Sequence, residues 1–250
     1  MKDRIINFGE VFTPPDIVKA MVDMAPEAYS VDAKFLEPSC GNGNFLVEIL
    51  RRKLSVGLKG EDSKEKAIVV AVSSLYGIDI IEDNVAACRS RLLALAREEY
   101  ERVVQHEIPA NIYDVIQDII NKNIIHGNTL TGNNDNGSIE FFDWNFNADL
   151  TPIPKRFILC TADDGGIVVL ADACDGGKGP ILFSGHMKFD VVIGNPPYQA
   201  ANTGHNRSAT PIYYDFVEFA MNVALRRVIM IIPSRWFADH RGNRFKKNHA

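Results

Sequence analysis

Phe35-Leu36-Glu37-Pro38-Ser39-Cys40-Gly41-Asn42-Gly43-Asn44-Phe45 decides the fold. Phe35-Leu36 reads as a short buried strand ending at Glu37-Pro38. A glycine turn follows, and from Phe45 to Leu54 apolar residues recur at helical spacing. Outward from this unit the alternation continues. Thr13-Pro14-Pro15-Asp16 precedes an apolar stripe at Ile17, Val18, Ala20, Met21 and Met24, a capped helix with Pro near its first turn. Ser63 to Ser73 is a helix, Leu75 to Ile80 a strand and Asn84 to Val104 a long amphipathic helix. Ile108-Pro109 breaks that helix, Ile112 to Ile120 forms another, and Ile124 to Gly127 is a third strand. Phe189 to Ile193 and Val228 to Ile232 are two more strands, with a helix from Ile212 to Leu225 between them. The pattern predicts an α/β fold with a mostly parallel central sheet and helices on both faces.

The stretch 132–186 departs from this rhythm. It is rich in Gly, Asp and Asn and holds two β-like runs, Arg156 to Thr161 and Ile167 to Ala171, around Asp163-Asp164-Gly165-Gly166. It reads as a hairpin-containing insertion within one domain spanning 1–250.

Bulk numbers narrow the function classes. The chain has 250 residues, 46% hydrophobic and 24% charged, ordinary globular composition. No apolar run approaches the roughly 20 residues that span a bilayer. The N-terminus lacks a signal-peptide segment, which makes a cytoplasmic location the expectation. Cys40, Cys88, Cys160 and Cys174 form no C-x-x-C pair, so neither a disulfide framework nor a zinc site is expected. Cys40 reads as a small loop residue, not a nucleophile. The net charge of −5 runs against nucleic-acid binding, yet from Arg226 onward seven basic residues stand against Asp239 alone. That end is either a solvated helix face or one edge of a phosphate-facing cleft.

The chemistry sits at strand ends. Gly41 and Gly43 let a ligand approach the backbone. The dinucleotide fingerprint asks for a third Gly where this chain has Leu46. Glu37 would repel a pyrophosphate. It suits a cationic head, an ammonium or a sulfonium, and S-adenosylmethionine carries both. Asp79 ends the second strand, where nucleotide-binding folds place the acid that takes ribose hydroxyls; helix capping is the other reading. Asn128 after the third strand offers an amide to a purine edge, or is simple Gly-Asn turn chemistry. After the fourth strand comes Asn195-Pro196-Pro197-Tyr198. The prolines stiffen the loop and remove two N–H donors, and Pro196 drives Asn195 out of helical space. The loop presents an amide, a free carbonyl on Pro196 and the aromatic face of Tyr198. Such a set grips a planar group bearing an NH2: two oxygens accept its hydrogens while the ring stacks.

The order Phe12-Thr13-Pro14-Pro15, Glu37 to Gly43, Gly77-Ile78-Asp79, Gly127-Asn128 and Asn195-Pro196-Pro197-Tyr198 resembles the amino-methylating DNA methyltransferases. It is similar in particular to adenine-N6 enzymes of the Eco57I-like restriction-modification kind. Pro211 to Glu218 and Met230 to Phe237 also look like later segments of that group. The resemblance implies a Rossmann-like S-adenosylmethionine-dependent fold and N6 methylation of a flipped adenine in double-stranded DNA. By it, Phe12, Thr13 and Pro14 would hold the methionine carboxylate. Glu37, Pro38, Ser39, Cys40, Gly41, Gly43 and Asn44 would hold the methionine end. Asp79 would take the ribose, Ile80 would also touch the cofactor, Asn128 would meet its adenine ring, and Asn195, Pro196, Pro197 and Tyr198 the target base, with Asn195 also bordering the cofactor. The family usually carries Asp at the Asn128 position. The family also follows this region with a base-stacking aromatic residue and a target-recognition domain, so the resemblance implies an N-terminal catalytic piece of a longer protein, with a restriction nuclease as the expected further partner. Cytosine N4, an RNA base or protein glutamine is the rival substrate, and an inert cofactor-binding fragment the rival of another class.

Overall fold

A computed structural model describes residues 12–60, 63–161, 168–172, 186–199 and 211–234. Five parallel strands make the central sheet: β1 (Phe35–Glu37), β2 (Leu75–Asp79), β3 (Ile124–His126), β9 (Phe189–Gly194) and β10 (Ala224–Met230). Their order is β10-β9-β1-β2-β3, so β1 lies at the centre and chain direction across the sheet reverses there. Phe35 pairs with Leu75 on one side and Val191 on the other. Because every strand points the same way, the loops after Glu37, Asp79, His126 and Gly194 all open at one edge, where such sheets bind ligands.

The helices are α1 (Pro15–Asp23), α2 (Asn44–Gly57), α3 (Lys64–Ser73), α4 (Glu82–Val104), α5 (Ala110–Asn123) and α6 (Tyr213–Val223). Ser63 caps α3, its hydroxyl accepting from Lys66 N at 3.3 Å. Helices α2 to α5 pack on one another on a single face. Gly77 shows why they sit so close: a Cβ there would meet Leu46 Cδ1 at 2.9 Å and Cys40 Cβ at 3.1 Å. The strand has given up a side chain so that α2 and its loop can lie against it.

The opposite face carries, besides the expected helix α6, a layer of strands. Tyr76 points that way and meets not a helix but Phe141, edge-on at 6.0 Å between ring centroids, with Phe189 at 5.1 Å. Phe141 belongs to an antiparallel sheet of β6 (Glu140–Phe146), β7 (Pro152–Thr161) and β8 (Val168–Asp172), which shares the covering with α6. Two dipeptide strands, β4 (Asn133–Asn134) and β5 (Gly137–Ser138), lead into it. Strands β7 and β8 match the two β-like runs read from sequence; the turn joining them and Cys174 lie outside the described residues. Strand β6 was not foreseen. Its anchors are polar: Tyr76 Oη donates to Phe142 O at 2.8 Å, Trp144 Nε1 donates to Asn123 Oδ1 at 2.8 Å, and Lys34 pairs with Asp143 at 2.6 Å.

Two smaller departures matter. Strand β10 begins at Ala224, four residues earlier than expected, directly from the end of α6. Arg226 and Arg227 on it form ion pairs with Asp190 and Glu27, so two of the seven basic residues are spoken for; those from Arg235 on lie outside the described residues. Among the described residues no helix is long and apolar enough to cross a membrane.

Candidate functional site

The strand-end loops build one cleft, lined by Phe12, Thr13, Glu37, Ser39, Cys40, Gly41, Asn42, Asn44, Phe45 and Asn195. Gly41 and Gly43 take left-handed backbone, φ 51° and 83°. This turn lets Asn44 start α2 immediately after a loop that doubles back on β2, with Cys40 N bonded to Ile78 O at 2.9 Å. At Gly43 there is no room for a side chain, whereas at Gly41 it is the left-handed backbone that favours glycine. A Cβ on Gly43 would lie 2.4 Å from Cys88 Sγ, and one on Gly41 would face the Phe12 ring at 3.6 Å. Phe12 thus lies over the loop, 44% exposed.

The electrostatics of this cleft are unbalanced. Glu37 is 3% exposed, and burial above all, then the nearby Cys88 and Asp79, pushes its carboxyl well above the usual range. Its Oε2 is buried with no hydrogen-bond partner, and the same holds for Ser39 Oγ and Asn42 Oδ1. Buried polar atoms are rarely left so. Asn42 Oδ1 is a pure acceptor and Glu37 becomes one when ionised, which suits a ligand that brings cationic N–H donors. Cys40 is buried against Cys88; their hydrogen bond and then burial raise its thiol, consistent with a packing role.

Asp79 clasps the loop. Its Oδ2 accepts from Gly41 N at 2.8 Å, and its Oδ1 accepts from Ile81 N at 2.9 Å and Asn84 Nδ2 at 3.3 Å. Beside it Ile80 is 50% exposed, a large apolar side chain left uncovered at a strand end. Asn128 uses its Oδ1 on Leu130 N at 2.9 Å and Thr131 N at 3.3 Å, the turn chemistry that Gly-Asn suggests. Thr129 Oγ1 donates to Pro38 O at 2.5 Å and stitches the β3 loop to the β1 loop.

Asn195 follows Gly194, the last residue of β9, and reaches the cleft half-buried. Its Nδ2 donates to Thr13 Oγ1 at 3.3 Å. That contact turns the NH2 end toward Thr13 and uses one of its two hydrogens, leaving Oδ1 outside the contact. Pro196 is buried and Pro197 half-buried, while Tyr198 is 38% exposed with its ring edge-on to Tyr213 at 6.3 Å. Burial of part of the ring raises the Tyr198 hydroxyl. Tyr213 in turn stacks on Tyr214 at 4.3 Å. Thr13 does not cap α1 as expected: Pro14 holds the cap position and no side chain bonds there.

The structure therefore brings Phe12, Thr13, Glu37, Ser39, Cys40, Gly41, Asn44 and Asn195 to one cleft. Pro14 starts α1 just behind it, and Pro38, Gly43, Asp79, Ile80, Asn128 and Pro196 to Tyr198 stand on the loops at the same sheet edge. Two participants escaped sequence reading. Arg91 Nη1 donates to Asn42 O at 2.6 Å and Asn44 Oδ1 at 2.9 Å, and Asn84 steadies Asp79. Both lie on α4, Arg91 49 residues from Asn42 and 47 from Asn44, and Asn84 five residues from Asp79, and no local pattern marks either.

Comparison with known proteins gives this cleft a context. The family model "N-6 DNA Methylase" matches residues 3–106. A 54-residue stretch is 46% identical to an uncharacterized adenine-specific methylase of Mycoplasma pneumoniae, covering 21% of this chain and 13% of that protein. The adenine-specific methyltransferase PglX of Streptomyces coelicolor is 26% identical over 174 residues, 67% of this chain and 12% of PglX. The chain thus spans a small fraction of either relative's length. Among solved structures, the ATP-dependent Type ISP restriction-modification enzyme LlaBIII bound to DNA aligns with a TM-score of 0.45 at 16% identity, over 84% of this chain and 12% of that one. The family model "Eco57I restriction-modification methylase" matches residues 73–249, most of the chain, and to that family the chain belongs.

Proposed function

We propose that the protein transfers a methyl group from S-adenosylmethionine to the exocyclic N6 of an adenine flipped out of double-stranded DNA. The family and both adenine-specific relatives support the reaction class. The observation that carries the reading is the meeting of two sequence-distant loops, with the Asn195 amide on the same cleft as Glu37 and Gly41.

The residues present fit the cofactor. The partnerless oxygens Glu37 Oε2 and Asn42 Oδ1 suit an α-ammonium, Thr13 and its segment the carboxylate, exposed Ile80 an adenine ring, Asp79 the ribose and Asn128 the ring edge. When bound, S-adenosylmethionine supplies a methyl already activated on a sulfonium. The chain's own work is alignment. The target nitrogen faces its partner base in the duplex, so the base must be extruded. Asn195 Oδ1 and the Pro196 carbonyl accept the two N6 hydrogens. Held this way, the nitrogen lone pair leaves conjugation with the ring and becomes nucleophilic. Tyr198 stacks on the base, worth about 1–3 kcal/mol, and Tyr213 braces its ring. The amine proton lost on transfer leaves to solvent, and no covalent enzyme intermediate forms.

Asn195→Ala tests this. Tritium transfer from labelled cofactor to unmethylated genomic duplex should fall about 100-fold or more. Calorimetric cofactor affinity should stay within about threefold, since one flanking contact is lost. Wild-type turnover in that variant overturns the assignment.

A further inference from the structure

An amide clamp works only one way round. Oxygen and NH2 of an asparagine are almost the same shape, so a half-turn about the last bond presents a donor to the target amine, which repels it. Something must decide the orientation of Asn195. The structure assigns that task to Thr13: its hydroxyl accepts the Asn195 Nδ2–H, and once the hydroxyl proton is given to a ligand carboxylate only lone pairs face the amide, which holds Oδ1 toward the base. We propose Thr13 as a positioning residue on these grounds, and the proposal rests on the base-clamp reading of Asn195 above.

Three features make Thr13 suited to this. First, its hydroxyl has been released from helix capping. A threonine next to a helix start usually accepts a backbone N–H from the first turn. Here the cap position is Pro14 and the first helical residue is Pro15, so the two following residues carry no N–H at all. Second, Thr13 is 6% exposed, which keeps bulk water from taking the hydroxyl's lone pairs. Third, Thr13 is held from behind. Asn44 Nδ2 donates to Thr13 O at 3.2 Å, and Asn44 Oδ1 in turn accepts from Arg91 Nη1 at 2.9 Å. A polar chain therefore runs from the middle of α4 through the first residue of α2 and Thr13 to the amide of Asn195, 182 residues beyond Thr13 in sequence.

The arrangement also links cofactor to clamp. A hydroxyl has one proton and two lone pairs. Accepting from Asn195 leaves the proton to donate, and a ligand carboxylate beside Thr13 is a natural acceptor. One side chain then serves both, and the Thr-Pro-Pro sequence acquires a physical reason: the prolines free the threonine.

The test uses the intact protein with Thr13→Val, which keeps the shape and loses the hydroxyl, and Thr13→Ser, which keeps the hydroxyl. Thr13→Ala serves as a second hydroxyl-free variant if Val disturbs folding, judged by thermal denaturation. Calorimetry first fixes each variant's cofactor affinity, and methyl transfer to unmethylated genomic duplex is then measured at saturating cofactor. The expected result is a fall of about tenfold or more in the saturated rate for Thr13→Val, the worth of one hydrogen bond, with most of the loss recovered in Thr13→Ser. A variant whose only defect is weaker cofactor binding overturns the proposal, as does Thr13→Ser failing as badly as Thr13→Val. Asn195→Ala measured alongside separates the two readings. If it transfers normally, the clamp itself is wrong; if it is inactive while Thr13→Val at saturation is not, only the positioning role falls.

Discussion

Glu37 shows how one side chain can be tuned for a ligand at the expense of the empty fold. Its carboxyl sits well above the usual value because burial disfavours its charge. Between the unfolded value of about 4.3 and that raised value, the folded state holds a proton the unfolded state has lost. Stability from this group is therefore full below that window and declines as pH rises through it. An ammonium ligand favours the ionised form and reverses the cost. Glu37→Gln should flatten the decline, leaving the cofactor-free protein at pH 8 melting no lower than wild type, while the rise in melting temperature on adding S-adenosylmethionine disappears. A rise of wild-type size in the Gln variant would show that Glu37 does not face the ligand. The position of Glu37 was legible from its strand-end place before glycines. The clasp made by Asp79 was not, because a carboxylate at that place looks the same whether it meets a ribose or a backbone N–H.

At the scale of elements, the junction between the 3-10 turn Pro26–Tyr29 and β1 is held by Lys53. This lysine of α2 is fully buried and donates to Ala33 O at 2.6 Å, Ser30 O at 2.7 Å and Val31 O at 3.3 Å. Burial pulls its ammonium down to about 7. Lys53→Met keeps the length but strands three carbonyls; denaturant unfolding should show a loss of about 3 kcal/mol or more, and an unchanged midpoint would mean those carbonyls find water instead. In the sequence Lys53 is the third of three consecutive basic residues, with nothing local to distinguish it from exposed Arg51. The central strands were easier, since Phe35-Leu36, Leu75 to Asp79 and Phe189 to Gly194 are short apolar runs between turns. Strand β6 was missed because Asn, Asp and Gly before it signal loop, and its two buried aromatics, Phe141 and Trp144, do not alternate with period two.

For the whole molecule, the sheet layer of β6 to β8 is the departure with most consequence. It fills a flank where a parallel sheet is ordinarily covered by helices, and the rings of Tyr76, Phe141 and Phe189 interlock across the boundary. Segment 132–186 therefore cannot be trimmed like a surface loop. Replacing it with a short glycine-serine linker should abolish cooperative thermal unfolding and produce strong binding of a hydrophobic dye. A sharp transition at the wild-type temperature would show the layer to be dispensable.

The central place of β1 also bears on how the chain is made. Its partner on one flank, β2, emerges from the ribosome about forty residues after it, but Val191 on the other flank comes more than 150 residues later. Throughout that interval the middle strand presents a row of unanswered backbone amides and carbonyls. Nascent chains that stall before β9 should thus be the ones that chaperones retain.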